Sequence, residues 1–319
     1  MRRLVHSVAA LSSFALVLTA VPGTAAADKT LVFVAEQDHK VIAIFDARGR
    51  KLREIHTDLG PLAADTDGNL FVAPVGLPYL YEFHRPYDGP PTKIYLPSNP
   101  AQAVQNVAVD QKTGVLAVFS YTYASPNYNI ISFYQPRASY PCNVFSGPEP
   151  VGSSGAFDAE GNLFYETLDR RAPIESLAGE CSAGFHQFTP FMMAEPPPAM
   201  DEFLAFDSDD RLVVQVSGGR CDGKPALVET YPHPRVEKFR HGTIGPPIAA
   251  TLLAPHDKCA PFVAALTSDG GHLWASETIE LRGSVLEYRY PAAGPSRPVN
   301  AIVGIPNPRW VTVTPPLTP

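Results

Sequence analysis

The sequence predicts an all-β protein, a six-bladed β-propeller of four-stranded antiparallel blades, closed by its N- and C-terminal strands in one split blade. Three observations support this fold. Short runs rich in Val, Ile, Phe and Tyr alternate with Gly, Pro and Asp throughout the chain. One strand–turn–strand pattern recurs at intervals suited to blades. The chain also contains 34 prolines in 319 residues, a density that disfavours long helices.

The clearest repeat is a hairpin whose turn reads Asp-x-x-Gly. Residues 63–72 read AADTDGNLFV and residues 156–165 read AFDAEGNLFY, with looser copies at 108–116, 205–213 and 265–274. In such a turn the aspartate can accept hydrogen bonds from its own backbone while glycine supplies a positive φ. The turns are anchored 45, 48, 49 and 60 positions apart, at Asp65, Asp110, Asp158, Asp207 and Thr267. Periods of this size indicate a propeller or another repeat array.

Each hairpin is followed by a run that predicts a third strand, and most are followed by a weaker fourth strand. The third strands are predicted at residues 80–83, 131–134, 185–188, 227–231 and 286–288. Fourth strands are predicted at residues 92–96, 142–146 and 299–303. On this scheme residues 191–199 and 238–261 are loop insertions, although the second could contain an additional strand pair.

The two ends of the chain supply the remaining blade. Residues 31–35, 41–45 and 51–55 match the second, third and fourth strands of the repeat, and residues 310–313 match its missing first strand. Pairing between the termini would close the ring and remove the exposed strand edges that favour aggregation.

The first residues have the pattern of an export signal. Arg2 and Arg3 precede an apolar run at residues 8–21, and the alanines at 25–27 offer a cleavage site, so residues 1–27 are predicted to be a signal peptide and residues 28–319 a single propeller domain. The apolar run is shorter than the roughly 20 residues of a membrane span, and no cysteine near the cleavage site could accept a lipid. We therefore expect a soluble, secreted or periplasmic monomer.

The charge balance limits the classes of partner. The formal net charge of −7 becomes −9 once Arg2 and Arg3 are removed, which disfavours nucleic acid because phosphates require a basic surface. The expected partner is a protein or a small-molecule ligand.

All four cysteines lie in the second half of the chain, at Cys142, Cys181, Cys221 and Cys259. An even number in an oxidising compartment favours two disulfides, and the absence of a C-x-x-C spacing argues against zinc. Cys221 can pair with Cys181 or with Cys259 from the loops that they occupy, and the sequence does not choose between these pairings.

The repeat of an apolar strand, Asp-x-x-Gly-Asn, a Leu-Phe-Val strand and an aromatic strand resembles the NHL-repeat propellers and the related SMP-30/gluconolactonase-like superfamily. The resemblance covers nearly the whole chain after residue 27 and implies a six-bladed fold that hosts binding modules, lactonases, lyases and synthases. In the lactonase-like members a glutamate, an asparagine and an aspartate hold a divalent ion, and Asn106, Asp201 and Glu202 match part of that set. The early glutamate has no counterpart, because Glu36 falls on an outer loop in this alignment.

A binding site is expected at one end of the central channel. Strands of a blade alternate in direction, so the loops from second to third strand and the loops between blades emerge on the same face, which we call the channel face. These loops are rich in carboxylates, which suit a hard cation such as calcium. Residues that precede the innermost strands should point toward the axis, among them Gln105, Asn106, Ser153, Ser154, Asp201 and Glu202. Further ligand-binding candidates on these loops are Tyr121, Tyr123, His256 and Asp257.

Three functional hypotheses follow. The first is a ligand- or partner-binding module that acts through the channel-face loops, because no nucleophile or zinc-protease motif occurs and no catalytic residue can be assigned. The second is a divalent-metal-dependent lactonase or esterase in which the metal polarises a carbonyl and activates water. The third is a lyase that uses His39 or His256.

Overall fold

A computed structural model describes residues 30–97, 102–122, 129–147, 151–167, 174–178, 181, 187–193, 203–217, 221, 224–236, 242–256, 259–267, 270–279, 282–292 and 294–314. Every regular element in these ranges is a β-strand, and none of them contains a helix able to span a membrane. The strands form six antiparallel blades around a central channel, as the sequence predicts.

The blades are numbered from the split blade, and their strands are given from the channel outward. Blade 1 contains β27 (Pro308–Val313), β1 (Leu31–Glu36), β2 (Val41–Asp46) and β3 (Lys51–His56). Blade 2 contains β4 (Leu62–Ala64), β5 (Leu70–Val72), β6 (Tyr79–Phe83) and β7 (Thr92–Tyr95). Blade 3 contains β8 (Gln102–Val109), β9 (Leu116–Thr122), β10 (Asn129–Tyr134) and β11 (Asn143–Gly147).

Blade 4 contains β12 (Val151–Phe157), β13 (Leu163–Thr167), β14 (Ile174–Ala178) and β15 (Gln187–Met193), extended outward by β20 (Gly242–Ile244) and β19 (Arg235–Val236). Blade 5 contains β16 (Leu204–Phe206), β17 (Leu212–Ser217), β18 (Ala226–Tyr231) and β21 (Ala249–Leu253), followed by the short β25 (Gly294–Ser296). Blade 6 contains β22 (Phe262–Leu266), β23 (His272–Ile279), β24 (Arg282–Arg289) and β26 (Pro298–Pro306).

The split blade forms as predicted. The C-terminal strand β27 pairs antiparallel with β1, with Phe33 opposite Thr312 and Val34 opposite Val311. The first and last described strands therefore meet within one sheet, and β27 takes the position beside the channel that the innermost strand occupies in every other blade.

The Asp-x-x-Gly turns make the predicted hydrogen bonds. Oδ1 of Asp158 accepts hydrogen bonds from the backbone N–H groups of Glu160 and Asn162 at 3.0 and 2.7 Å. Gly161 has a φ of 88°, which a residue with a Cβ atom adopts only with strain. Asp65 accepts the equivalent bond from Asn69 at 2.7 Å. The turn sequence therefore fixes the hairpin between the first and second strands of these blades.

The sequence prediction was wrong in blade 4. The third strand is β14 rather than residues 185–188, and β15 is the fourth strand, so Phe191 belongs to a strand and not to a loop insertion. The motif IESLA of β14 contains no aromatic residue, which is why a search for aromatic runs missed it. Phe191 is fully buried, and its ring centroid lies 5.4 Å from that of Phe164.

The prediction of a loop insertion at residues 238–261 was also wrong, because the described part of this range contains strands. These residues contain β21, the fourth strand of blade 5, which pairs antiparallel with β18. They also contain β20, which pairs with β19 as a short hairpin and adds in parallel to β15. Only β20 of this pair lies within residues 238–261, because β19 precedes them, so the pair is not the strand pair predicted inside the segment.

The core lies between the blades. Each second strand carries a buried leucine at or near its start, and all six leucines are at most 6% exposed: Leu31, Leu70, Leu116, Leu163, Leu212 and Leu273. Burial of one such side chain contributes roughly 1.5–3 kcal/mol. Stacked sheets, each apolar on both faces, thus hold the ring around its channel.

Two disulfides link neighbouring blades on opposite faces. Cys142, between β10 and β11, is bonded to Cys181, between β14 and β15, which joins blades 3 and 4 on the face opposite the channel face. Cys221, between β17 and β18, is bonded to Cys259, which precedes β22, and this bond joins blades 5 and 6 on the channel face. The expectation of two disulfides is confirmed, with Cys259 as the partner of Cys221. Two disulfides are consistent with an extracellular or periplasmic protein.

Candidate functional site

The central channel encloses a cavity of about 790 Å³ between the six innermost strands. Its described polar lining consists of amides and hydroxyls together with one guanidinium, from Gln37, Gln105, Asn106, Gln111, Ser154, Ser276, Thr278, Asn307, Arg309 and Thr312. Apolar side chains such as Val104 and Phe262 complete the wall. Gln105, Asn106 and Ser154, predicted to face the axis, do line the cavity. Neutral hydrogen-bonding groups therefore dominate the described part of the channel.

A β-bulge in β8 sets the geometry of Gln105. Val104 is opposite Ser120 and Asn106 is opposite Phe119, so Gln105 is the extra residue without a pairing partner. Bulges redirect a side chain relative to the regular pleat. Oε1 of Gln105 is buried and accepts no hydrogen bond within the described residues. A buried amide oxygen without a donor costs about 1–3 kcal/mol, so this atom is the channel group best placed to gain from a ligand N–H or O–H.

Asn106 is held differently from its neighbour. Its Oδ1 accepts a 2.8 Å hydrogen bond from the backbone N–H of Val107, which fixes the side-chain amide against its own strand. This bond uses one of the two lone pairs of the oxygen and holds it in place.

The channel face of blade 1 carries a polar network from the start of β27. Nη1 of Arg309 donates to Oε1 of Gln37 at 3.4 Å, and Nδ2 of Asn307 donates to Oδ1 of Asp38 at 3.2 Å. The guanidinium of Arg309 also lies over the Trp310 ring, 4.8 Å from its centroid, a cation–π contact. Sequence analysis missed Asn307, Arg309 and Trp310 as site residues, because only ring closure brings residues 307–310 beside residues 37 and 38.

Glu36 does not lie on an outer loop, so that prediction was wrong. It is the last residue of β1 and is only 2% exposed. Oε1 of Glu36 lies 3.3 Å from Nζ of Lys51, and Oε2 lies 3.2 Å from Nδ1 of His39. The register of β1 with β2 and β3 creates this cluster. The charge of Glu36 is thus engaged within blade 1.

The remaining candidates are only partly described. His256 is an exposed residue after β21 and is not among the residues that line the cavity. Tyr121 belongs to β9, but its side chain lies outside the described residues, as do Tyr123, Asp201, Glu202 and Asp257. Within the ranges that the structure covers, no three His, Cys, Asp or Glu side chains are grouped to hold a metal ion. Calcium binding through Asn106, Asp201 and Glu202 stays a prediction.

Comparisons with known proteins identify the fold class. No protein-family model and no curated protein matches the chain. A protein of unknown function from Bacteroides caccae is similar in structure, with a TM-score of 0.54 and 11% identity over 90% of this chain and 99% of its own. TolB from Acinetobacter baumannii has a TM-score of 0.54 and 10% identity over 93% of this chain and 69% of its own. A chain of a nidogen–laminin complex has a TM-score of 0.53 and 13% identity over 89% of this chain and 98% of its own. At such identities the similarity shows a shared β-propeller fold alone.

Proposed function

We propose that this protein is a secreted or periplasmic binding module that holds a neutral, polar ligand or partner segment in its central channel and against its channel-face loops. The observation that carries the proposal is the buried, unpartnered Oε1 of Gln105 in a cavity whose described polar lining is mostly amides and hydroxyls. Ligand sites commonly combine apolar walls with a few polar groups that fix orientation. A sugar hydroxyl or a peptide N–H would supply the donor that Gln105 lacks.

Two further features support this proposal. The repeat pattern around Asp65 and Asp158 favours membership of the NHL-repeat and SMP-30-like propellers, a superfamily that includes binding modules. One structurally similar chain comes from a nidogen–laminin complex, so a propeller of similar shape occurs in a protein–protein assembly. The signal-like residues 1–27 and the two disulfides support an exported protein.

The test is a ligand screen with a channel variant. Purified protein lacking residues 1–27 is screened by thermal shift against neutral oligosaccharides and uncharged peptides, and hits are titrated by calorimetry. Gln105→Leu should weaken binding of a true channel ligand by about 5- to 30-fold, the effect of one lost hydrogen bond of 1–2 kcal/mol. Gln135→Leu, at an exposed position after β10 on the opposite face, is the matched control and should bind normally. If both variants bind every hit with equal affinity, the proposal that the ligand binds in the central channel is contradicted.

The metal-dependent hydrolase is distinguished by a separate measurement. Calcium is titrated into the same protein and into Asp201→Ala and Asn106→Ala, and each is assayed with small lactones and esters. Hydrolysis that requires calcium and is lost in both variants would favour the metal-dependent hydrolase over the binding module.

A further inference from the structure

A second cavity system lies between blades 2 and 3. Two adjoining cavities of about 200 and 470 Å³ share Asp67, Asn69, Glu82 and Arg137 in their walls. The turn between β4 and β5 and the turns that follow β6 and β10 surround them, so they open on the face opposite the channel face. We call this cavity system the inter-blade crevice.

The inner part of the crevice is apolar except for one carboxylate. Its deep wall is formed by Phe71, Ile94, Leu116 and Tyr134, all of which are buried. Along β6 successive side chains alternate between the two faces of blade 2, and Leu80 and Glu82 share the face that packs toward blade 3. Glu82 is only 3% exposed. The crevice is therefore an apolar slot with a buried carboxylate in its side wall.

The carboxylate of Glu82 accepts no hydrogen bond from the described residues. The imidazole of His84 lies close to Glu82, with 3.7 Å between its Nδ1 and Oε1 of Glu82, which is longer than a hydrogen bond. Nδ1 of His84 is instead within 3.0 Å of Oδ1 of Asn69. A buried carboxylate without donors is unfavourable, and burial accordingly raises the pKa of Glu82.

The side chains at the strand position of Glu82 have hydrogen-bond partners in two other blades. By strand register, Glu82 opposite Phe71 is equivalent to Glu287 opposite Trp274 in blade 6 and to Thr230 opposite Val213 in blade 5. Oε1 of Glu287 is hydrogen-bonded to Nδ1 of His272. The hydroxyl of Thr230 is hydrogen-bonded to that of Tyr290. Blades 5 and 6 thus provide a partner at this position, whereas in blade 2 the carboxylate faces an open cavity.

The other charges around the crevice leave its interior electronegative. Asp65 accepts hydrogen bonds from the backbone N–H and Nδ2 of Asn69. Asp67 and Arg137 are exposed at the mouth, and from there the positive charge of Arg137 opposes the rise in the pKa of Glu82 without cancelling the effect of burial. Nζ of Lys112 is 3.5 Å from the carbonyl of Ala159 in blade 4, so this cation is directed away from Glu82. Glu82 therefore dominates the deep part of the crevice.

We propose that the inter-blade crevice binds a primary ammonium group on a short alkyl chain, either a free alkylamine or a lysine side chain of a partner protein. The ammonium group donates to the Glu82 carboxylate, and the methylene groups lie against the apolar wall. A cavity of about 200 Å³ has room for several methylene groups, since a water molecule occupies about 30 Å³ in the liquid. This site is separate from the channel and does not depend on the proposed function.

The test uses n-butylammonium chloride as the probe and n-butanol as its uncharged analogue, at constant ionic strength. Binding to the protein without residues 1–27 is followed by NMR through the imidazole signals of His84 and by calorimetry. Butylammonium should bind at least roughly tenfold more tightly than butanol, because a charge-assisted hydrogen bond in a partly dry cavity is worth about 1.5–3 kcal/mol. A blocked lysine amide, tested in parallel, identifies the source: tighter binding than butylammonium indicates a partner's lysine, and weaker binding indicates a free amine.

Variants locate the site. Glu82→Gln should raise the Kd for butylammonium at least about tenfold. Thr92 is exposed and lines the cavity of about 470 Å³, so Thr92→Phe should raise the Kd by a similar factor because the larger side chain narrows the entrance. Glu287→Gln is the matched control and should leave the Kd within about twofold, as should Gln105→Leu in the channel. The proposal is overturned if neither ammonium probe binds, if butanol binds as tightly, or if Glu82→Gln and Thr92→Phe both leave the Kd unchanged.

Discussion

The backbone N–H of Leu31 donates a 2.8 Å hydrogen bond to Oγ1 of Thr314, and the backbone N–H of Thr314 donates to the carbonyl of Leu31 at 2.9 Å. These residues are 283 positions apart, and Thr314 is only 1% exposed. The reciprocal pair extends the ladder between β27 and β1 by one residue. It holds β1 and β27 together where the ring closes.

Replacement of Thr314 tests the contribution of this pair to stability. Thr314→Val keeps the shape of the side chain but leaves the buried N–H of Leu31 without an acceptor, so we expect a loss of about 1–3 kcal/mol in the free energy of unfolding by urea. Thr92→Val, at an exposed position in β7, should change it by less than about 0.5 kcal/mol. Equal stability of the two variants would show that this hydrogen bond does not stabilise the closed ring.

The Asp-x-x-Gly turns should be sensitive to their aspartates. Asp158 is 4% exposed and accepts bonds from the backbone N–H groups of Glu160 and Asn162 and from Nδ2 of Asn162. Asp158→Ala removes all of these acceptors, and we expect a loss of about 2–4 kcal/mol in urea unfolding. The exposed Asp67→Ala, in the equivalent turn of blade 2, is the control and should lose less than about 0.5 kcal/mol. A small effect at Asp158 would mean that glycine alone specifies the turn.

The two disulfides should stabilise the protein by similar amounts. They close loops of nearly equal length, with sequence separations of 39 and 38 residues, and the chain-entropy model gives about 4 kcal/mol for each. We expect Cys142→Ala/Cys181→Ala and Cys221→Ala/Cys259→Ala to lower the free energy of unfolding equally within about 1 kcal/mol. Urea titrations without reductant measure both losses. A much larger loss in the second pair would indicate that Cys259, which is 3% exposed, contributes mainly by packing.

The raised pKa of Glu82 predicts a dependence of stability on pH. The ordinary pKa of 4.5 applies in the unfolded chain, and burial raises it in the folded protein, so the folded state binds more protons above pH 4.5. Stability should therefore fall as the pH rises from 4.5 through the folded pKa, by at most about 1.4 kcal/mol for each pH unit from this group. In Glu82→Gln this decrease should disappear. The urea midpoint of the variant, relative to that of the wild type, should therefore rise as the pH increases from 4.5 through the folded pKa of Glu82. A constant difference from pH 4 to pH 8 would contradict a raised pKa.

The fold was predictable because its signals are local. Asp65, Asp158 and their glycines mark a hairpin within about ten residues, and repetition of that hairpin determines the number of blades. The strand β14 was missed because IESLA lacks the expected aromatic, and the hairpin of β19 and β20 has no copy elsewhere in the repeat. Sequence patterns within one blade could not reveal sites formed between blades.

The functional residues illustrate this limit. Gln105 was expected to face the axis from its place before an innermost strand, and it does. By contrast, Glu82 and Glu287 occupy equivalent third-strand positions after similar hairpins, and neither was predicted as a site residue. The partner of Glu287 is His272 on the adjacent strand of the same blade, whereas Asn69 stands at the corresponding position in blade 2. Only the packing of blades 2 and 3 shows that Glu82 faces an open cavity.

The position of β27 also imposes an order on assembly. A chain emerging from its N-terminus makes β1, β2 and β3 early, yet the inner edge of β1 stays unpaired until residues 308–313 follow. Throughout synthesis that edge presents free backbone donors and acceptors to other chains. The strand β27, which is made after the other described strands of the ring, thus ends the interval in which this edge of a growing molecule can pair with another chain.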